Sequence, residues 1–212
     1  MASTTINISA AGNDGWGYKG DTGDYTVIDA RPFVDETTAG TTDLYIERSL
    51  NTGTSLYYIS CAFLRFDTST LSRTTIFTAT LNLYATNINN ANSLNALGDY
   101  YDYGGSPSDS TDWEHLSSGN AFSVALSSLT AGQVNSISLT EPNFYINKDG
   151  FTGIRLGVSQ LAADAFPTGF NGIRPAASFE DAVNPQASLT ITYNNPMTPN
   201  DLAHTILGRG SA

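Results

Sequence analysis

The 212-residue chain carries nine Lys and Arg against twenty Asp and Glu, a formal charge of −11 at pH 7. No basic cluster interrupts that acidic background, so counterion release has no footprint and nucleic acid is not an expected partner. Hydrophobic residues make up 40% and charged residues 14%, with Thr, Ser, Asn and Gly prominent among the rest, the balance of many strands joined by tight turns.

Period-two segments recur from end to end and predict strands over Thr5–Ala10, Tyr25–Phe33, Thr42–Arg48, Leu56–Asp67, Ile76–Thr86, Phe122–Leu126, Val134–Thr140, Phe151–Gln160, Ala177–Glu180 and Ala187–Tyr193. Gly, Asn, Asp and Pro punctuate the intervals. The cleanest alternation is Ala79-Thr80-Leu81-Asn82-Leu83-Tyr84-Ala85, where positions 79, 81, 83 and 85 face one way, as in a half-buried antiparallel strand. The long stretch Asn87–Asn120 reads as irregular, and loops of that length are often functional. Glu141–Gly150, with an early proline and a terminal glycine, predicts one or two helical turns between strands. Asn194-Asn195-Pro196 stops the last strand, and Thr198–Gly208 then predicts a short helix with an N-cap threonine, a first-turn proline and an apolar stripe of Leu202 and Ile206. The expected fold is therefore all-β: a single antiparallel β-sandwich over residues 1–195, jelly-roll-like, with a long irregular loop and a C-terminal tail at 196–212 carrying the helix. That helix is too short to stand alone and must dock on its own domain or on a partner.

No stretch approaches the ~18 apolar residues of a membrane span. The opening Met1-Ala2-Ser3-Thr4-Thr5-Ile6-Asn7 carries no charged or apolar export signal, so synthesis in a cytoplasm is expected. The single cysteine, Cys61, is expected as a buried thiol.

Three blocks taken in order carry a resemblance. Phe63-Leu64-Arg65-Phe66-Asp67 followed by Ala79-Thr80-Leu81-Asn82-Leu83-Tyr84 reads as L-R-F-D and then A-x-L-x-L-Y. Ile146-Asn147 through Gly150-Phe151-Thr152-Gly153-Ile154-Arg155-Leu156 forms the second block, and Ser178-Phe179-Glu180 with Leu189-Thr190-Ile191-Thr192-Tyr193 the third. Together, over roughly Ile6 to Tyr193, they resemble the DNRLRE-type β-sandwich family, which includes disaggregatase-like domains and some carbohydrate-binding modules. Ala187 stands where that family usually has proline, and Phe179 where a basic residue often precedes the glutamate. Members of the family occur on secreted bacterial and archaeal surface proteins and on phage virions, and the missing export signal favours the phage setting.

Within Leu56–Asp67, Arg65 lies between Leu64 and Phe66 and shares a strand face with Phe63 and Asp67. Buried there it needs an anion, and Glu180 or Asp181 is the expected partner in a guanidinium–carboxylate lock. His115 and His204 are the only histidines, in the loop and the tail, so a nucleophilic triad has little material and no enzyme activity is expected. Asn13-Asp14-Gly15 and Asp21-Thr22-Gly23-Asp24 read first as turns whose side chains bond their own backbone. They also make calcium the one ion whose ligand type is on offer; no other cofactor is expected. Tyr100, Tyr101, Tyr103 and Trp113 gather aromatic residues in the irregular stretch, with Trp16 and Tyr18 in another turn, suited to a sugar or a protein face.

The function expected first is that of a non-enzymatic structural protein of a phage virion. It is a capsid decoration or cement protein, or a related head or tail accessory module, forming a homo-oligomer and contacting a capsid or other virion protein. The alternative is a carbohydrate-binding module using the Tyr-rich loop; a polysaccharide-degrading enzyme comes third.

Overall fold

The computed structural model describes residues 1–10, 13–21, 36–39, 43–51, 53, 55–90, 93–102, 104, 119–159, 170–177 and 181–194. These form the strands β1 (Ala2–Asn7), β2 (Asp14–Asp21), β3 (Glu36–Ala39), β4 (Asp43–Asn51), β5 (Leu56–Asp67), β6 (Thr75–Ala85) and β7 (Ile88–Asn90). They continue with β8 (Asn95–Tyr100), β9 (Gly119–Ala125), β10 (Gln133–Ser138), β11 (Phe151–Val158), β12 (Phe170–Ala177) and β13 (Ser188–Asn194); an α-helical turn, α1 (Pro142–Tyr145), lies between β10 and β11, and 3-10 turns occupy Ser69–Leu71 and Leu126–Ser128.

All described pairings are antiparallel, and hydrogen bonds link the strands in the order β1-β13-β6-β12-β4-β5-β11-β8-β9, with β10 beside β6, β2 between β3 and β5, and β7 beside β12. The sheet curls back on itself into an antiparallel β-sandwich. Leu81, Leu83, Leu189 and Ile191 from one half and Leu64, Phe66, Ile154 and Leu156 from the other share one apolar core.

β5 matches its sequence expectation residue for residue. It is shared three ways: β2 pairs with residues 57–64, β4 with 56–60, and β11 with 62–67. β6 buries Ala79, Leu81, Leu83 and Ala85 as its alternation predicts. Near its start the register against β13 shifts between Thr192 and Tyr193, which face Thr78 and Ile76 and leave Phe77 as the extra residue of a β-bulge. That bulge resets the phase, burying Ile76 while Phe77 turns outward.

Several expectations are corrected. Asp14–Asp21, read as turns, is a full strand; its glycines at 15, 17 and 20 hide the signal because they carry no side chain to alternate. The first part of Asn87–Asn120, expected to be irregular, holds β7 and β8. Asn95-Ala96-Leu97-Gly98-Asp99-Tyr100 is poor in β-formers yet alternates inward and outward once paired with β9 and β11. Of the strand expected over Ala177–Glu180 only Ala177 is described, and it belongs to β12; the one or two helical turns expected within Glu141–Gly150 are met by the single turn α1. Cys61 is half-buried rather than buried. Tyr25–Phe33, Ser178–Glu180 and the tail with its helix lie outside the described residues.

One close approach decides the path of the chain after β8. The Tyr101 amide donates to the Gly153 carbonyl at 3.0 Å, and the backbone there crosses over β11 at Gly153. A β carbon on Gly153 would run into the Tyr101 carbonyl and come within 2.8 Å of the Asp102 Cα. Backbone on both sides leaves no flexible atom to yield. Gly153→Ala should therefore destabilise the protein by about 3 kcal/mol, the upper end of overpacking costs, read as a lower midpoint in urea unfolding. An unchanged midpoint overturns the crossing.

Candidate functional site

Of the residues expected to make contacts from the irregular stretch, Tyr100 and Tyr101 are interior. Tyr100 is 1% exposed, donates its hydroxyl to the Thr140 carbonyl at 2.9 Å and stacks on Tyr145 with ring centroids 5.1 Å apart. Burial, aided by Glu141 and Tyr145, pushes its pKa well above the ordinary tyrosine range. Tyr101 packs on Phe63 in a small second apolar cluster with Cys61 against it. Tyr103, Trp113, Leu202 and Ile206 lie outside the described residues.

Arg65 faces this second cluster. Its Nε donates to Asp102 Oδ1 at 3.2 Å, and its guanidinium lies 3.9 Å from the centre of the Phe151 ring. Beside it Arg155, in register with Asp99, donates to the Asp99 carboxylate at 3.1 Å, with its guanidinium 5.5 Å from the Tyr101 ring. The two ion pairs bracket Tyr101 and hold the segment leaving β8 against β11 and β5. Glu180, the expected anion, lies outside the described residues. Asp181, the other candidate, accepts from the Val183 and Asn184 amides and the Asn184 side chain, closing a turn. Asp67, at the end of the same strand, accepts from the Ser69 hydroxyl at 2.6 Å and the Ser69 amide at 3.1 Å, and these bonds lower its pKa.

The calcium expectation falls partly on residues in view. Asn13 donates to Ser9 Oγ at 3.2 Å and Asp14 is fully buried at the head of β2, while Thr22, Gly23 and Asp24 lie outside the described residues. Among the described residues no three His, Cys, Asp or Glu side chains gather as a metal site would require.

A groove that the sequence did not reveal lies on the β2–β5–β4 ribbon. Tyr18 on β2 and Glu47 on β4 both stand opposite Ser60 on β5, so the three side chains share one face. Two-residue periodicity adds Trp16, Tyr45 and Tyr58 to that face. These six residues line a hollow of about 350 Å³. The rings form a continuous row. Tyr45 meets Trp16 edge to face at 4.7 Å, Trp16 lies nearly parallel to Tyr18 at 5.8 Å, and Tyr58 meets Tyr18 edge to face at 5.7 Å.

Small residues make the row possible. Ala62 stands opposite Trp16, and Gly20 opposite Tyr58, where an added β carbon would press on the Tyr58 ring at 3.3 Å. All four rings are half-buried, so each presents part of its surface to the hollow, whereas Ser60 and Glu47 are buried, each 3% exposed. Ser49 donates its hydroxyl to Glu47 Oε1 at 3.1 Å. The groove thus offers aromatic faces along its length and a carboxylate and a hydroxyl inside, the usual division of labour in a small-molecule site. Trp16 and Tyr18 were visible as an aromatic pair in sequence. Tyr45 and Tyr58 read there as ordinary strand residues.

No family model matches the chain, and no curated protein is significantly similar to it. Among solved structures, one described under the heading "Structural basis for the promiscuous specificity of the carbohydrate-binding modules from the beta-sandwich super family" aligns at 10% identity with a TM-score of 0.25. The alignment covers 91% of this chain, and this chain spans 57% of the length of that one.

The Arg65 side chain is 16% exposed and that of Asp102 43%, so their pairing is screened by water. A buried one-sided break costs ~3–5 kcal/mol. For this pair and its ring contact, Arg65→Ala should cost only about 1–2 kcal/mol in denaturant unfolding, with binding by the folded protein unchanged. Lost binding at unchanged stability contradicts the lock.

Proposed function

We propose that this protein is a non-enzymatic binding module whose groove on β2, β4 and β5 takes a carbohydrate. The observation that carries the reading is the row Tyr45–Trp16–Tyr18–Tyr58 over Ser60 and Glu47. A sugar ring has an apolar face of C–H groups and an equator of hydroxyls. Half-buried aromatic rings supply rigid apolar area at low entropic cost for the first, and the Ser60 hydroxyl and Glu47 carboxylate supply hydrogen-bond partners for the second. A row of rings spanning three strands suits an extended saccharide better than a compact metabolite. The proposed binding surface is the sheet face that carries this row.

The virion setting and membership of the DNRLRE-type family are companion proposals that rest on the sequence blocks quoted above. In that setting the chain is a decoration-like structural protein that associates with itself and with other virion proteins. One observation favours a protein contact: Phe144 is 83% exposed and Phe77 44% exposed. Both line a hollow of about 540 Å³ with Ile76, Pro142 and Tyr145, the kind of apolar surface that protein contacts cover.

Two experiments test these readings. Affinity electrophoresis in gels containing host surface polysaccharides should show retardation, weakened about tenfold in apparent affinity by Trp16→Ala or Tyr58→Ala, as expected for truncating an aromatic anchor. Equal retardation of both variants and the parent removes the groove from the function. Purified particles should contain the protein in stoichiometric amounts, and Phe144→Glu should deplete it from them; its absence from particles rejects the virion setting.

A further inference from the structure

We propose that the groove selects saccharides carrying a positively charged nitrogen, as an amino sugar or a quaternary ammonium substituent does. The inference rests on the carbohydrate reading and adds a ligand class to it. Three features of the site converge on a cation.

The first is the arrangement of the rings. Trp16 and Tyr18 lie nearly parallel, 27° apart, while Tyr45 and Tyr58 are inclined at 62° and 63° to their neighbours. A charged substituent on an extended saccharide lying in that hollow meets more than one of these rings. Each aromatic face carries a negative quadrupole, and a cation within ~6 Å of ring centres is attracted to each face.

The second is Glu47. It sits across Ser60 from Tyr18, so the side of the hollow opposite the Tyr18 ring is a carboxylate. Glu47 is buried, accepts from the Ser49 hydroxyl and contributes a carboxylate to the lining of the hollow. A ligand ammonium adds a charge-assisted contact there that a neutral hydroxyl matches only in part. An asparagine or glutamine would serve neutral sugars at lower desolvation cost.

The third is the chain as a whole. With a formal charge of −11 it draws cationic ligands and repels uronic or sialic acids over distances comparable to the Debye length. The groove therefore discriminates by sign of charge as well as by shape.

Isothermal titration at pH 6 and physiological salt, with a glucosamine oligomer and its fully N-acetylated counterpart, separates charge from sugar shape. The backbone of the two ligands is the same. The glucosamine oligomer should bind about tenfold more tightly. Glu47→Gln should bring the two affinities together by weakening the glucosamine oligomer more than the acetylated one, and Trp16→Ala should weaken both, each variant first shown to melt as the parent does. Equal binding of the two oligomers by the parent overturns the charge selection and leaves the carbohydrate reading standing. A preference that survives both Glu47→Gln and Trp16→Ala also overturns it, because attraction to the acidic chain then suffices. If neither oligomer binds, and no polysaccharide retards the protein, both proposals fall.

Discussion

The register of β5 is the constraint on which the rest depends. A strand of 12 residues takes β2 along one edge and, along the other, β4 and then β11. Its two-residue period sends Ala62, Leu64 and Phe66 into the main core and Cys61, Phe63 and Arg65 to the opposite side. A slip of one residue would exchange those sets, placing a guanidinium in the core and leucine outside. Pairing on both edges makes such a slip costly, because three neighbouring strands would have to move together.

The two halves of this strand perform different work. Around residues 61–67 it lies beside β11 and supports the outer cluster, where Tyr101 is pinned between the Arg65–Asp102 and Arg155–Asp99 pairs. Around residues 58–60 it lies between β2 and β4, and its face becomes the middle of the aromatic groove. The switch of neighbour from β4 to β11 separates the two roles. Absent side chains matter as much as present ones. Gly153 lets the backbone cross β11, and Ala62 and Gly20 leave room for the rings opposite them.

The outer face sets an arginine beside core residues, with Asp102 as its ion-pair partner among the described residues. Arg65 covers Phe151 with the plane of its guanidinium and meets a partly exposed carboxylate at its edge. Water reaches the pair, which limits its strength, while ring contact and chain packing do much of the holding. The groove makes the opposite choice, burying its carboxylate and leaving its rings half open.

Alternation alone determined the all-β class, the span of β5, the inward face of β6 and the final strand, because burial on one side of a sheet writes a local period-two pattern. The same signal failed for β2 and β8, whose Gly, Asn and Asp residues alternate too weakly to be read before their neighbours are known. Tertiary structure decided the partner found for Arg65, the burial of Tyr100 and the assembly of the groove. Trp16, Tyr45 and Tyr58 are far apart along the chain and sit on three strands. They meet only because cross-strand hydrogen bonds set which residues stand opposite Ser60 and Ala62. That register is a long-range property, fixed by the packing of both sheet faces at once, and no local window of sequence contains it.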